Sequence, residues 1–389
     1  MNPALALQLH RLFLRTAFAC AQIFAWLFIY HFLYLQNLSA EDAIVRTVLL
    51  YALSQGVTCL LTPYSALRLR NGVRAEIIIA ALFAAAAFVI LGSTLNDMLG
   101  SGSAVGMLAF AVLLGVYRAL YWVPYSVERV ETTGAAPRSL IIEMFIALVP
   151  AISGSVIAFA IIPPSILLYV AATLVVVAIV PLLRLRETQE GYSWKYFETF
   201  GVLFSRPHRK LFFISILQGL ESAVLLLLWP IAILTLTSLS YTVVGVVLSI
   251  TFLIAILLRG TAFNMLRYFK LHDSPAIAAA IAASAWVGRL LVVTPASIIL
   301  VDVYHLVGVA GHGAAPIHFE QAADSAHYID EYTALKEIGL SLGRIIMCLV
   351  AASFALSFSI LFAFVTCFGL AAIAAASGIV LARSPKKTI

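Results

Sequence analysis

Long apolar segments, separated by short polar breaks, run along almost the entire chain. Each segment holds about 20 residues, the length that a helix needs to cross a bilayer, and the breaks contain glycine, proline or charged residues. The pattern predicts twelve transmembrane helices, near residues 12–34, 44–66, 76–95, 103–126, 139–162, 164–183, 210–236, 240–258, 275–293, 295–317, 335–357 and 359–382.

One longer polar segment, from Leu183 to Lys210, divides these helices into two sets of six. Two hydrophobic halves joined by a basic loop indicate a membrane protein built by duplication. We therefore expect an all-α polytopic membrane protein made of two pseudo-symmetric six-helix bundles. The predicted domains are residues 1–183, a central loop at residues 184–209, and residues 210–389.

Composition supports a membrane location. The chain is 63% apolar and 11% charged, whereas soluble proteins carry about 25% charged residues. Its mean hydropathy is +1.04, so the surplus apolar surface is expected to contact the lipid bilayer. The basic residues are scattered among short loops rather than clustered, so no nucleic-acid partner is expected.

The basic residues also predict which side of the membrane each loop faces. Cytoplasmic loops are enriched in Lys and Arg, and one set of loops in this chain carries most of them, whereas the opposite loops carry acids such as Glu41, Asp42 and Asp97. We therefore expect a multi-pass protein of the cell membrane with the N-terminus, the central loop and the C-terminus in the cytoplasm. The basic set outside the central loop comprises Arg68, Arg70, Arg74, Arg129, Arg138, Arg259, Arg267, Lys270, Arg383, Lys386 and Lys387.

Several polar residues fall inside predicted spans. An ionisable residue in lipid costs about 2.5–3.5 kcal/mol on insertion scales, so each should face a partner or a water-filled cavity. These residues are Gln22 in the first span, Arg118 in the fourth, Gln218 and Glu221 in the seventh, and Asp302 and His305 in the tenth.

The turn after the second span resembles the loop motif of the major facilitator superfamily, Gly-x-x-x-Asp-Arg-x-Gly-x-[Arg/Lys]. Arg70, Gly72 and Arg74 match it, whereas Ser65 replaces the first glycine and Leu69 replaces the aspartate. The arrangement of six plus six spans resembles the same superfamily. The resemblance implies a cytoplasmic gating loop at Arg70, Gly72 and Arg74; alternatively, the arginines serve only to orient the loop. Glycine at position 72 permits a positive φ in the tight turn.

The resemblance also implies a central cavity lined by the first, fourth, seventh and tenth spans, the four that carry the polar residues. Aromatic side chains beside a few charges suit a small amphipathic solute. The expected substrate-cavity residues are Gln22, Trp26, Tyr30, Tyr117, Arg118, Tyr121, Gln218, Glu221, Asp302 and His305. Three alternatives remain open: the aromatic residues pack the core, the glutamines link helices, or Arg118 forms a structural pair with Glu143.

Glu221 and His305 are candidates for proton coupling, because a carboxylate or imidazole at mid-depth binds and releases protons as its surroundings change. In the eleventh span, Glu337 and Arg344, together with Lys336 and Glu331, are expected to form a cytoplasmic gate or helix-end ion pairs. Arg289 is expected to extend towards the membrane interface.

The predicted function is secondary transport by alternating access, as a proton-coupled symporter or antiporter without enzymatic activity, cofactor or resident metal. We expect a monomer whose partners are lipid, a small solute and protons. A lipid-linked glycosyltransferase is the alternative from another class, indicated by Glu41 and Asp42 in an outer loop. A divalent-metal exporter of the same fold is a further alternative, because Asp302, His305 and His312 share one helical face.

Overall fold

The computed structural model describes residues 3–36, 38–96, 102–132, 140–159, 161–268, 274–311 and 329–383, which are almost entirely helical. The N-terminal half contains α1 (Pro3–Leu35), α2 (Ala40–Arg68), α3 (Val73–Leu95), α4 (Ser103–Thr132), α5 (Leu140–Ala158) and α6 (Pro164–Leu182). The C-terminal half contains α7 (Arg209–Leu236), α8 (Tyr241–Tyr268), α9 (Pro275–Arg289), α10 (Pro295–Gly311), α11 (Ile329–Ser357) and α12 (Ile360–Arg383). A short helix between the halves, Tyr196–Val202, is called the loop helix.

Local signals explain where several helices begin. The Ser39 hydroxyl accepts a hydrogen bond from the Asp42 backbone N–H at 3.0 Å, so Ser39 caps α2. Ser274 caps α9 in the same way, and Pro275 follows it at the first helical position. Proline is favoured there because its missing N–H would be unpaired in any case. α6 likewise begins at Pro164.

Ten helices within the described residues are long and apolar enough to cross a bilayer. Of the other two, α9 holds 15 residues and is shorter than the predicted span 275–293, and α10 holds 17 described residues that begin the predicted span 295–317. α9 ends before Thr294, whose helical conformation is disfavoured by the following Pro295. Residues 312–317 of the predicted tenth span lie outside the described residues. The sequence prediction is thus confirmed for ten spans.

The helices pack most extensively within each half. In the N-terminal half α3 contacts α4 and α6, and α1 contacts α6; in the C-terminal half α7 contacts α11 and α9 contacts α12. The main contacts between the halves are α2 with α11 and α5 with α8. We call the end of the bundle that carries Arg68 and residues 183–208 the loop end, and the end that carries Ser39 and Tyr241 the far end.

Helix α7 contains a π-helical segment, Val224–Leu228, shortly after Glu221. The Trp229 backbone N–H donates to the Val224 carbonyl, five residues back. The next residue is Pro230, which has no N–H and therefore leaves the carbonyl four residues earlier without its usual partner. The wider turn is a local consequence of that proline, and such segments are frequent at functional sites.

Candidate functional site

A cavity of about 610 Å³ lies between the two halves. Residues of α1, α2, α4, α5, α7 and α8 line it, from Trp26 and Tyr51 at mid-depth to Arg11, Glu143 and Arg259 in the loop-end parts of their helices. Its volume falls within the range of about 300–1,000 Å³ that is typical of small-molecule sites. The cavity is therefore large enough to hold a small solute.

Aromatic residues of α4 form one wall of this cavity. Tyr117, Tyr121, Trp122 and Tyr125 all line it, and Tyr121 stacks on Tyr125 with ring centroids 5.2 Å apart. Buried His10 fixes Tyr121: its Nδ1 lies 2.8 Å from the Ala178 carbonyl and its Nε2 lies 3.1 Å from the Tyr121 hydroxyl. Because a carbonyl only accepts, Nδ1 carries the proton, and the tyrosine hydroxyl donates to Nε2.

Arg118 also lines the cavity, and the residue is 7% exposed. Its Nη1 has no hydrogen-bond partner within the described part of the chain. Glu143, the expected alternative partner, lies 3.9 Å from Arg259 of α8. The structure therefore does not pair Arg118 with Glu143.

A second polar cluster is packed inside the C-terminal half, between α7, α9 and α10. The Arg289 Nη2 and Nε atoms donate to Asp302 Oδ1 at 2.7 and 3.0 Å. The other Asp302 oxygen accepts from Trp229 Nε1 at 2.9 Å. The Arg289 guanidinium also lies over the ring of Trp286, 4.1 Å from its centroid. Arg289 is thus buried, and the expectation that it extends to the interface is wrong.

The same cluster joins His305 to Glu221. Arg289 Nη2 lies 3.0 Å from His305 Nδ1, and His305 Nε2 lies 3.4 Å from Glu221 Oε1. Because a guanidinium only donates, Nδ1 must accept and Nε2 carries the imidazole proton. Trp286 Nε1 donates to the same Glu221 oxygen at 3.1 Å. Glu221 is the most accessible charged residue of the cluster, with 23% of its side chain exposed.

The far end of the bundle is held together by contacts between the halves. His31 of α1 lies 2.6 Å from the Tyr241 hydroxyl of α8, measured from Nδ1, and Phe28 packs edge-on against the same ring. On the other side, a Cβ at Gly154 of α5 or at Gly245 of α8 would overlap the backbone of the facing helix. Glycine therefore permits close approach of α5 and α8 at this end.

At the loop end, Arg70 and Arg74 bind the segment 185–193, which we call the strap. Arg70 Nη2 donates to the Tyr192 carbonyl at 3.0 Å, and Arg74 Nη1 donates to the Leu185 carbonyl at 2.9 Å. Burial raises the pKa of the Tyr192 phenol. The Ser193 hydroxyl then donates to the carboxylate of Glu331 in α11 at 2.6 Å. The strap therefore links the motif loop of the N-terminal half to the C-terminal half.

Glu187 of the strap caps the start of α3. Its Oε1 accepts from the backbone N–H groups of Arg74 and Ala75 at 3.0 and 3.3 Å, and its Oε2 accepts from Arg74 Nε at 2.9 Å. Gly72 has φ +129°, which confirms the positive φ predicted for this turn. Leu69, which stands where the motif has aspartate, is fully buried. A carboxylate from the strap thus occupies the N-terminus of α3.

The predicted cavity residues divide between these places. Five of them line the cavity: Gln22, Trp26, Tyr117, Arg118 and Tyr121. Glu221, Asp302 and His305 lie in the C-terminal cluster. Tyr30 is buried and stacks on Tyr34, and Gln218 is partly buried in α7.

Sequence reasoning missed other residues of both sites. Tyr51, Arg11, Arg15 and Arg259 line the cavity, and Trp229, Trp286 and Arg289 belong to the cluster. Nothing in the sequence pattern distinguished the tryptophans from other apolar residues. Arg289, by contrast, could have been predicted as a cluster residue, because a charge inside a span needs a partner. Arg344 donates to Ser222 and Gln55, at 2.9 and 3.1 Å, rather than to Glu337. Arg344 therefore does not pair with Glu337 within the described residues, and a gating role for this group stays a prediction.

The residues that suggested a glycosyltransferase or a metal exporter either have a structural role or lie outside the described residues. Asp42 belongs to the cap of α2, where it accepts from the Ser39 hydroxyl at 3.0 Å. The described residues contain no group of three or more side chains suited to hold a metal ion. Asp302 is engaged by Arg289 and Trp229, and His312 lies outside the described residues.

Comparison with known proteins identifies the fold. No protein-family model and no curated protein matches the sequence. A mutant of the nucleoside transporter NupG matches with a TM-score of 0.67 at 12% identity, covering 98% of this chain and 100% of that chain. A bacterial homologue of the iron transporter ferroportin, in an outward-facing state, matches with a TM-score of 0.61 at 17% identity, covering 98% of both chains. The peptide transporter POT matches with a TM-score of 0.68 at 12% identity, covering 97% of this chain and 94% of that chain. At such low identity these matches show the fold alone, and it is the major facilitator fold.

Proposed function

We propose that this chain of the major facilitator fold is a secondary transporter that moves a small solute across a membrane by alternating access. One observation carries the proposal: the cavity between the halves extends towards the loop end, whereas the halves are packed together at the far end. Alternating access requires a site that one end of the molecule reaches while the other end is closed. The three structural neighbours are transporters for nucleosides, iron and peptides, which supports the class but names no substrate for this chain.

The proposed topology has twelve spans in two pseudo-symmetric bundles, residues 1–183 and 210–389. α9 and α10 serve as short ninth and tenth spans. At about 1.5 Å per residue, the 15 residues of α9 extend about 22 Å. This falls short of a hydrocarbon core of about 30 Å, a mismatch that membrane proteins accommodate by local thinning. Both termini and the central loop face the cytoplasm of the cell membrane, and the protein is a monomer.

Glu221 is the proposed proton carrier, and His305 positions it. Arg289 donates to His305 Nδ1 and so holds the imidazole in the tautomer whose Nε2–H is directed at Glu221. A second proton on His305 would place two donors face to face, which disfavours His305 as the first carrier while this contact lasts. Glu221 is the partly exposed member of the cluster, and we infer that water reaches it in one of the two conformations. A change in its surroundings between two conformations then links protonation to solute movement.

The turn at Arg70, Gly72 and Arg74 is proposed to act on gating through the strap. Both arginines bind strap carbonyls, and the next strap residue binds Glu331 of α11. If α11 moves relative to α2, these hydrogen bonds must therefore either break or be preserved by a movement of the strap. The loop would stabilise the observed conformation rather than contact the solute.

The experiment is solute flux into proteoliposomes under an imposed pH gradient, with wild type, Glu221→Gln and the matched control Glu41→Gln, which lies at the far end outside the cluster. We expect wild type and the control to accumulate a solute against its gradient. Glu221→Gln should retain exchange of that solute and lose accumulation driven by the pH gradient.

Two results would contradict the proposal at different levels. If wild type moves no solute from a broad metabolite panel, the transport function is wrong. If Glu221→Gln accumulates solute with unchanged pH dependence, transport stands and the proton role of Glu221 is wrong.

A further inference from the structure

Three buried hydrogen-bond donors have no partner among the described residues, two of them on the cavity wall and the third one helical turn away. Arg118 Nη1, the Tyr51 hydroxyl and Gln55 Nε2 are all buried, and none has a hydrogen-bond partner among the described residues. Arg118 and Tyr51 line the cavity, and Gln55 lies four residues after Tyr51, on the same side of α2. Nearly all buried polar groups in proteins are paired. Three unpaired donors in one place therefore indicate a missing acceptor.

The orientation of Gln55 is fixed by Arg344. Arg344 Nη1 donates to Gln55 Oε1 at 3.1 Å, and an arginine has no acceptor with which to satisfy the amide nitrogen. The Gln55 oxygen must therefore face Arg344 and its N–H groups must face elsewhere. The free group of Gln55 is a donor, like those of Arg118 and Tyr51.

Within the described residues, the two positive charges at this place have no counter-ion in direct contact, and Glu337 acts on Arg344 only from beyond 4.0 Å. No carboxylate of the described residues lies within 4.0 Å of the Arg118 or Arg344 guanidinium, and the two groups repel each other. The acceptors that Arg344 does have, Gln55 and Ser222, are neutral. Two guanidinium groups without a counter-charge in direct contact are costly at the middle of a membrane protein. An anion bound between them would reduce that cost.

The rest of the cavity lining is also predominantly positively charged. Its lining includes four arginines, Arg11, Arg15, Arg118 and Arg259, and one acid, Glu143. The aromatic wall of α4 adds flat apolar surface on which a planar group can stack. The lining thus combines positive charge with aromatic area, which suits an anionic group attached to an apolar body.

We propose that the cavity binds a small organic anion, with its carboxylate or phosphate group held by Arg118, Tyr51, Gln55 and Arg344. The apolar part of the ligand lies against Trp26 and Tyr117. The binding of an anion is inferred from the unpaired donors and the positive charges alone. Transport of the same anion across the membrane rests on the proposed function.

The test measures thermal unfolding of the purified full-length protein in detergent with benzoate, phenyl phosphate and the uncharged benzamide. We expect at least one of the two anions to raise the unfolding temperature of wild type and benzamide to leave it unchanged. Arg118→Gln should weaken anion binding about 10- to 100-fold, the factor for losing one charge-assisted hydrogen bond. Tyr51→Phe should weaken it about 2- to 10-fold. Arg186→Gln, an exposed arginine of the strap, is the matched control and should bind as wild type does.

Unfolding without ligand separates a binding role from a structural one. Because Arg118 Nη1 is buried with no hydrogen-bond partner among the described residues, Arg118→Gln should unfold at a higher temperature than wild type in the absence of anion. Tyr51→Phe should unfold at an unchanged or higher temperature, since its hydroxyl has no partner either. If either residue has a structural role instead, its variant should unfold at a lower temperature than wild type.

Four outcomes would decide between the proposals. Equal stabilisation by benzamide and benzoate, or wild-type anion affinity in Arg118→Gln, would overturn the anion site. Flux of a neutral solute by a protein that binds no anion would also overturn it and leave transport standing. Binding of an anion that depends on Arg118, without flux of any solute in proteoliposomes, would support the site and overturn transport.

Discussion

The buried pair of Arg289 and Asp302 gives the prediction with the best-defined magnitude. The Arg289 side chain is 1% exposed and that of Asp302 is 7% exposed. Asp302→Asn preserves the shape of the side chain but removes its charge, leaving the buried Arg289 guanidinium with no carboxylate of the described residues in direct contact. Breaking a buried pair from one side costs about 3–5 kcal/mol. We expect a loss of this size in the free energy of unfolding.

Removing both charges should cost less than removing one. In Arg289→Met combined with Asp302→Leu, no buried charge remains, and replacement of a whole buried pair by apolar residues is often neutral. Two penalties persist, at about 1–3 kcal/mol each: the Trp229 N–H loses its acceptor, and His305 Nδ1 loses its donor. We therefore expect the double variant to be more stable than Asp302→Leu alone.

The assay is unfolding in mixed dodecyl maltoside and sodium dodecyl sulfate, followed by far-ultraviolet circular dichroism because tryptophans belong to the cluster. The single variants Arg289→Met and Asp302→Leu, the double variant and wild type form a cycle that isolates the interaction. A free energy of unfolding of Asp302→Asn within about 1 kcal/mol of the wild-type value would refute this prediction, because a loss that small is typical of a solvent-exposed ion pair. A double variant less stable than the sum of the single losses would refute it equally.

Three further predictions concern the loop end, the far end and the topology. Gly72→Ala should lower the free energy of unfolding by about 1–3 kcal/mol, because φ +129° is strained for alanine; detergent titration measures the loss. Gly245→Leu should separate α8 from α5, since its side chain would overlap the Pro150 carbonyl, and should increase alkylation of a cysteine introduced at the far end. Cysteines introduced at Gly191 and Gln36, both exposed, should react with impermeant maleimide from opposite sides of the membrane, Gly191 from the cytoplasm.

Each of these has a result that contradicts it. Unchanged stability of Gly72→Ala would mean that the turn relaxes without cost. Equal alkylation at the far end in Gly245→Leu and wild type would mean that the contact of α5 and α8 does not hold that end closed. Labelling of both cysteines from one side would contradict the proposed topology.

The sequence by itself determined the helices and the class of fold. Runs of about 20 apolar residues leave the backbone no other way to satisfy its hydrogen bonds in lipid, so ten predicted spans are found as helices. The turn at Gly72 was equally predictable, because the requirement for glycine is local. α9 was predicted too long because its end depends on the turn before Pro295, a local signal that hydropathy overlooks.

Tertiary structure decided which polar residues meet. Spacing along one helix indicated that Asp302 and His305 share a side, but it contained no information that Arg289 of α9 would lie between them. It likewise grouped Arg344 with charged residues of its own helix, whereas the partners are Gln55 and Ser222 on two others. Periodicity reports which face of a helix a residue occupies. The choice of partner depends on the rotation and depth of neighbouring helices, which are set by the packing of the whole bundle.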